Sequence, residues 1–235
     1  MKSFLCITLL IFISLIAASQ QTVNVDKDDY NAGNFFYSVS GEPVVTAKFV
    51  KLVEGTPFFT DEWLKSTIVT PQGKVYNNVP VKLDLMDGTL HYLDAKGVEF
   101  ISTTPIQEVI LIDSSKNQNF RFISSFSLRT LKEGWYSPLI EGKVALFKVY
   151  HKLLRENKPY GSAVAEQRII TQEKFVLVFN NQAFYLKNDK EVPSILEDKK
   201  EEVEAFIKRQ NKKRSLQERL VETITFYNSI VEKQS

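Results

Sequence analysis

Short apolar runs separated by glycine turns fill residues 63–101 and restrict this chain to a β-rich fold. Val, Ile, Tyr and Leu alternate with polar residues in four segments, and a period of two is typical of strands that bury one face. The segments are separated at Gly73, Gly88 and Gly97, and glycine readily takes the positive φ that tight turns need. The pair Asp87-Gly88 favours a two-residue hairpin. The pattern predicts an antiparallel meander of four strands.

Strand patterns continue on both sides of this section. Apolar runs rich in Val, Ile, Phe and Tyr extend from Phe35 to about Lys187, and Asn180-Asn181 divides the last of them as a hairpin turn would. After the meander the runs occupy 105–113, 120–126, 143–154 and 174–187. The run at 105–113 is expected to extend the meander, and the run at 143–154 also fits a helix.

The pattern becomes helical after Val192. Ser194 and Ser215 each begin an S-x-x-E sequence, in which serine caps an amide three residues on and glutamate reaches back. Apolar residues then recur at helical spacing, which predicts two amphipathic helices. The apolar positions are Leu196, Val203, Phe206 and Ile207 in the first and Leu216, Leu220, Ile224, Tyr227 and Val231 in the second. The predicted fold class is α+β, predominantly β: an antiparallel sheet, sandwich-like or partly closed, with a C-terminal helical hairpin.

The first residues have the order typical of a secretory signal peptide. Lys2 precedes an apolar run from Phe4 to Ile16, and small residues follow. The run is shorter than the roughly 20 residues that cross a bilayer. We therefore predict cleavage near Ala18 or Ser19 and an exported product, either periplasmic or secreted.

The predicted organisation has four parts. They are a signal peptide at 1–19, a polar leader at 20–34, a β-rich domain at 35–190 and a helical hairpin at 191–235 that packs on it. The last boundary rests on the change from alternating to helical apolar spacing. Two small β units divided near residues 114–119 are the alternative.

Cysteine content and charge exclude several functional classes. The only cysteine, Cys6, lies in the predicted signal peptide, so the mature chain would have no disulfide, thiolate nucleophile or cysteine metal site. The chain has 30 Lys+Arg and 28 Asp+Glu, a net charge of +2, whereas nucleic-acid-binding proteins show a clear basic excess. We expect no nucleic-acid partner and no transmembrane helix in the mature chain.

Residues with catalytic potential form no recognisable motif. His91 and His151 are far apart in sequence, and no H-x-x-x-H occurs. Ser162 follows Gly161 but lacks the second glycine of G-x-S-x-G. The acidic stretch from Asp26 lacks the glycine and glutamate positions of an EF-hand loop. We predict no catalytic residue, no metal site and no cofactor.

Aromatic residues are the remaining candidates for a binding site. Trp63 follows Asp61-Glu62, and Trp135 and Tyr136 are adjacent in a predicted loop. A flat ring provides a stacking surface for a sugar or another small ligand. We therefore predict ligand contacts at Trp63, Trp135 and Tyr136, with the alternative that each ring belongs to the core or to a sheet edge.

Four strings of sequence carry a resemblance that covers most of the mature chain. They are EGTPFFTDEWLKSTIVTPQGKVYNNVPVKLDLMDGTLHYLDAKG, GWYSPLIEGKVALFKVY, KPYGSA and FYLKNDKEVPSILEDKKEEVEAFIK. Together they resemble a family of exported, uncharacterised proteins of Bacteroidetes-type bacteria. The resemblance implies export in a Gram-negative envelope and assigns no activity to any residue. The apolar run does not end in a lipid-attachment cysteine, which favours a periplasmic or secreted product over a lipoprotein.

The functional expectation is an exported cell-envelope or secreted protein that binds or scaffolds a partner without catalysis. The expected partner is an envelope protein or a surface glycan. Two alternatives stay open. One is a carbohydrate-active hydrolase with two carboxylates about 5 to 9 Å apart. The other is a small-ligand-binding β-barrel with an apolar cavity of about 300 Å³ or more.

Overall fold

The computed structural model describes residues 22–24, 41–43, 51–128, 130–157 and 166–232. The described residues form thirteen β-strands in one sheet and three α-helices. The protein is therefore predominantly β with an α component, as the sequence predicts. The predicted signal peptide at 1–19, the strand that begins at Phe35 and the turn at Gly161-Ser162 lie outside the described residues.

The elements follow one another in a simple order along the chain. The strands are β1 (Thr22–Asn24), β2 (Gly41–Pro43), β3 (Lys51–Glu54), β4 (Leu64–Val69), β5 (Val75–Leu83), β6 (Leu90–Leu93), β7 (Glu99–Ser102), β8 (Glu108–Asp113), β9 (Gln118–Ser124), β10 (Trp135–Ile140), β11 (Ala145–Asn157), β12 (Glu166–Phe179) and β13 (Gln182–Leu186). The helices are α1 (Val192–Ile195), α2 (Lys200–Arg209) and α3 (Leu216–Glu232). Short 3₁₀ turns occupy Ser125–Ser127, Asp189–Glu191 and Glu197–Lys199.

Strands β4 to β7 form the predicted antiparallel meander. Its three turns contain Gly73, Gly88 and Gly97, whose φ angles are 77°, 73° and 77°. Asn180 and Asn181 form the predicted turn between β12 and β13 with φ angles of 50° and 59°. Positive φ at both central residues matches the twist of the flanking strands. The predicted positions of these turns are therefore confirmed.

The turn at Asp87-Gly88 is longer than the predicted two-residue hairpin. The Asp84 amide donates to the carbonyl of Thr89 and closes the loop. The Asp84 carboxylate accepts hydrogen bonds from the amides of Met86 and Asp87 at 2.8 and 2.9 Å. An aspartate that satisfies the amides of the next residues favours a wider turn, which is why the tight hairpin does not form.

The sheet grows from the β4 side of the meander. Its strand order is β13-β12-β11-β10-β9-β8-β4-β5-β6-β7-β2, with β1 parallel to β5 and β3 parallel to β12. The strand predicted at 105–113 is thus present as β8, but it pairs with β4 and does not follow β7 in the sheet. Among the described strands the sheet stays open, since its path ends at β13 and β2.

Three segments without a predicted strand form strands. The loop predicted around Trp135 and Tyr136 is wrong, because Trp135–Ile140 is β10, and the other two segments form short strands. Gly41–Pro43, which separates two apolar runs of the sequence, pairs with β7, and Thr22–Asn24, within the predicted polar leader, pairs with the part of β5 that β6 leaves uncovered. Free strand edges present unpaired amides and carbonyls that any extended segment can satisfy. Edge availability, which a local pattern does not encode, explains both differences.

Strand β10 belongs to two ladders. Trp135 and Tyr136 pair with β9, whereas the following residues from Ser137 pair with β11. The segment 143–154, which also fitted a helix, lies mainly in β11. The alternative division near residues 114–119 is wrong, because β8 and β9 pair as one continuous hairpin around it. The boundaries at 35–190 and 191–235 stay predictions.

Three clusters of buried side chains hold these elements together. The first core is centred on β4, β5, β8 and β9 and includes Ile68, Tyr76, Val109, Phe122 and Trp135. The second core joins β11 to β13 to the helices and includes Leu146, Leu177, Val203, Leu220 and Tyr227. The third cluster lies on the opposite face of β10 to β12 and includes Ile123, Leu131, Tyr136, Phe147 and Val176.

The capping box predicted at Ser215 is confirmed. The Ser215 hydroxyl accepts a hydrogen bond from the Glu218 amide at 3.2 Å, and the Glu218 carboxylate accepts one from the Ser215 amide at 2.8 Å. The cap predicted at Ser194 is wrong, because Pro193 starts α1 one turn earlier. Ser194 therefore lies inside α1, where its hydroxyl donates to the carbonyl of Glu191 at 2.7 Å.

Alanine substitutions at these two serines should change the stability of the protein by different amounts. We expect Ser215→Ala to lower the free energy of unfolding by about 1 kcal/mol, because the Glu218 amide at the start of α3 loses its acceptor, the Ser215 hydroxyl. Ser194→Ala, at an exposed position with no capping role, should cost less than about 0.5 kcal/mol. Urea denaturation followed by circular dichroism measures both. Equal losses would contradict the assignment of Ser215 as the only cap of the pair.

Candidate functional site

Trp135 and Tyr136 begin β10 and project to opposite faces of the sheet, since neighbouring strand residues alternate. The Trp135 side chain is 6% exposed and packs in the first core, where its Nε1 donates to the Gly88 carbonyl at 2.9 Å. Tyr136 is 3% exposed, and its hydroxyl donates to the Lys132 carbonyl at 2.8 Å. Burial and the hydrogen bond with Tyr185 raise the pKa of Tyr136. Its hydroxyl therefore stays protonated.

Trp63 lies apart from this pair, just before β4, and is half-buried. The Nζ atom of Lys82 lies 4.9 Å from the centroid of the Trp63 ring and 5.2 Å from that of Phe58. An ammonium group over an aromatic ring is held by the ring's quadrupole. One face of Trp63 is therefore covered, and its role in ligand contact stays a prediction.

A cleft of about 680 Å³ opens beside Trp135 and Tyr136. It is lined by residues 85–86, 132–136, 149–151, 173–175, 185–187 and 216, and we call it the β10 cleft. The cleft lies where the β10–β11 ladder ends, because Ser137 and Lys148 are its last pair while β11 continues to Asn157. Its volume falls in the range of roughly 300–1,000 Å³ that is typical of small-ligand sites.

The strand register determines which side chains line one side of the β10 cleft. Val176 pairs with Tyr185 and Lys174 pairs with Val149, so these four side chains share one face. His151 follows on the same face two residues after Val149. The Tyr136 ring belongs to this face as well, since it contacts Phe147, the partner of Val176. We call this side of the cleft, formed by Tyr136, Val149, His151, Lys174 and Tyr185 with Lys132 beside them, the tyrosine face.

The tyrosine face carries positive charge without a paired carboxylate. Lys132 Nζ lies 5.8 Å from the centroid of the Tyr185 ring. Within the part of the chain that the structure describes, no ion pair involves Lys132, Lys174 or Lys187. Burial and the charge of Lys174 lower the pKa of His151, which is therefore a neutral imidazole at pH 7.

The carboxylates of the β10 cleft are Glu133 and Glu173. Glu173 pairs with Tyr150 across the β11–β12 ladder, so it projects to the face opposite Lys174. Glu173 forms an ion pair with Lys148, whose Nζ lies 2.5 Å from Glu173 Oε1. The charge of Glu173 is thus compensated locally and does not neutralise the tyrosine face.

His91, the other histidine, is part of the packed sheet. It is 6% exposed, its Nδ1 lies 2.7 Å from Glu99 Oε1, and its ring meets the Phe58 ring edge-on at 5.0 Å. Within the described residues, no group of three or more His, Cys, Asp and Glu side chains is placed to hold a metal ion. Nor does any helix there combine the length and apolarity needed to cross a membrane.

The sequence predicts two residues of the β10 cleft, Trp135 and Tyr136, but not most of the tyrosine face. Lys132, Lys174 and Tyr185 sit in unrelated segments, and each resembles an ordinary exposed residue of a strand or a loop. The only available signal was the alternation in β12 and β13, which places Lys174 and Tyr185 on definite faces but does not pair the strands.

Comparison with known proteins adds no relative: no family model, no curated protein and no solved structure matches this chain.

Proposed function

We propose that the protein is an exported, non-catalytic binding protein of the cell envelope or the exterior, and that its site is the β10 cleft. The observation that carries the proposal is the cleft of about 680 Å³ with Trp135, Tyr136, Tyr150 and Tyr185 in its lining. Aromatic rings beside a few polar groups are the usual composition of a small-ligand site. The order of residues 1–19, typical of a signal peptide, supports the exported location.

Among the expected partners, a surface glycan fits the cleft better than a protein. Tyr185 is 44% exposed at the cleft wall, so the face of its ring that Lys132 does not cover is available to stack on a sugar. The volume accommodates a ligand of one or two sugar units, since small-ligand sites span about 300–1,000 Å³. A protein partner would instead need a contact area of roughly 800 Å² on this side.

The test is binding of the purified protein to an array of surface glycans, with variants at the cleft. We expect Tyr185→Ala to weaken binding of any retained glycan by about tenfold or more, because truncating a contacting aromatic residue removes a large share of the binding energy. Phe126→Ala is the matched control, since Phe126 is an aromatic residue that is 57% exposed outside the cleft. Equal effects of the two variants, or no bound glycan, would contradict a glycan site in the β10 cleft.

A further inference from the structure

We propose that the ligand of the β10 cleft carries an anionic group, a carboxylate or a phosphate, and that Lys132 and Lys174 bind this group beside the two tyrosines of the tyrosine face. This inference rests on the proposed function and specifies the chemical class of its ligand. A neutral sugar is the competing ligand class, since the aromatic lining alone would serve it equally well.

Charge is the first observation that favours an anion. The β10 cleft is lined by three lysines (Lys132, Lys174 and Lys187) and two glutamates, Glu133 and Glu173. Glu173 is paired with Lys148, so the lysines of the lining keep a positive excess. An unpaired ammonium attracts an anion more strongly in a cleft than on an open surface, because the surrounding protein lowers the effective dielectric constant.

Hydrogen bonding is the second observation. The hydroxyl oxygens of Tyr136 and Tyr185 lie 3.5 Å apart, so two phenol groups meet at one point of the tyrosine face. The Tyr136 proton is committed to the Lys132 carbonyl, so Tyr185 donates in the contact between the two hydroxyls, and a ligand oxygen can replace the Tyr136 oxygen as its acceptor. His151 adds a neutral imidazole on the same face. Donors of this kind complement the oxygen atoms of a carboxylate or a phosphate.

The position of His151 beside Lys174 is the third observation. His151 pairs with Gln172 and Lys174 pairs with Val149, so His151 and Lys174 are diagonal neighbours on one face of the β11–β12 ladder. Burial and, as the second cause, the charge of Lys174 lower the pKa of the His151 imidazole. A bound anion would oppose this effect of Lys174, because a nearby negative charge favours the protonated imidazole.

The experiment compares a matched pair of fluorescent probes, 8-anilinonaphthalene-1-sulfonate and N-phenyl-1-naphthylamine, which differ only by the anionic sulfonate. We expect the sulfonate probe to bind the purified protein at least about fivefold more tightly than the neutral probe, since each nearby lysine contributes a factor of this order. Lys174→Met should weaken binding of the sulfonate probe about fivefold and leave the affinity of the neutral probe unchanged. Lys96→Met, at an exposed lysine in the β6–β7 turn, is the control and should alter neither affinity.

Competition then identifies the source of the anion. Galacturonate is compared with galactose for a carboxylate, and glucose 6-phosphate with glucose for a phosphate. Displacement of the sulfonate probe by either anionic sugar, and not by its neutral partner, supports the proposal. Equal binding of the two probes, lost in Tyr185→Ala but unaffected by Lys174→Met, overturns the anionic class and leaves the proposed site standing. Probe binding that neither Tyr185→Ala nor Lys174→Met changes overturns both the anionic ligand class and the proposed site in the β10 cleft.

Discussion

Trp135→Ala is expected to lower the free energy of unfolding by about 3–5 kcal/mol, the largest loss of any single substitution considered. The indole fills the first core at the start of β10 and is 6% exposed. Its removal leaves a cavity and deprives the Gly88 carbonyl of its donor at 2.9 Å. Urea denaturation followed by far-ultraviolet circular dichroism measures the loss without relying on tryptophan fluorescence.

Two further variants separate the causes of this loss. Trp135→Phe keeps most of the volume and removes the hydrogen bond, so it should cost less than half as much. Trp63→Ala, at a half-buried tryptophan outside the core clusters, should cost about 1 kcal/mol. If Trp135→Ala cost no more than Trp63→Ala, the indole would not be part of the first core. A loss of ligand binding in Trp135→Ala would result from unfolding, so Trp135→Phe is the variant to use in binding measurements.

Asn228→Ala should give the second largest effect, a loss of about 2–4 kcal/mol. Asn228 lies in α3 and bonds both backbone groups of Val144: Oδ1 accepts from the amide at 3.0 Å, and Nδ2 donates to the carbonyl at 2.9 Å. Alanine would leave two buried backbone groups unpaired, and each such group costs about 1–3 kcal/mol. Thermal and urea denaturation of the variant measure the loss.

The same helix provides the control for Asn228. Gln217 is half-buried in α3 and accepts one hydrogen bond from Lys148 Nζ at 3.1 Å, so Gln217→Ala should cost less than about 1 kcal/mol. Gly142 packs against the amide of Asn228, and a Cβ there would lie 2.8 Å from Nδ2 at a φ of 153°. Gly142→Ala should therefore displace Asn228 and reproduce part of its loss. An Asn228→Ala protein as stable as Gln217→Ala would show that water replaces the amide.

The parts of the fold that follow local rules could be predicted from the sequence. Alternation and turn glycines indicate β4 to β7, paired asparagines indicate the β12–β13 turn, and S-x-x-E indicates the start of α3. Each of these signals lies within a few residues of the structure that it determines. Ser194 shows the limit of such signals, because the neighbouring Pro193 moved the start of the helix by one turn.

The arrangement of the sheet and the site depends on pairings that no local pattern encodes. The pairing of β8 with β4, and the capture of Gly41–Pro43 at β7, depend on which strand edges are free. The β10 cleft exists because β10 stops pairing with β11 at Ser137, and its lysines come from separate segments. The residue types of Trp135 and Tyr136 therefore indicate a site, whereas nothing in the sequence near Lys174 or Tyr185 does so.

The pairing of β8 with β4 has a consequence for the order in which the protein can form during synthesis. The chain is made from its N-terminus, and the hairpins of β4 to β7 leave the ribosome first. One edge of β4 stays bare until residues 108–113 emerge, and the first core lacks its indole until Trp135 follows. The nascent meander therefore presents an unprotected strand edge for tens of residues, at which a chaperone or a second nascent chain can bind before β8 closes it.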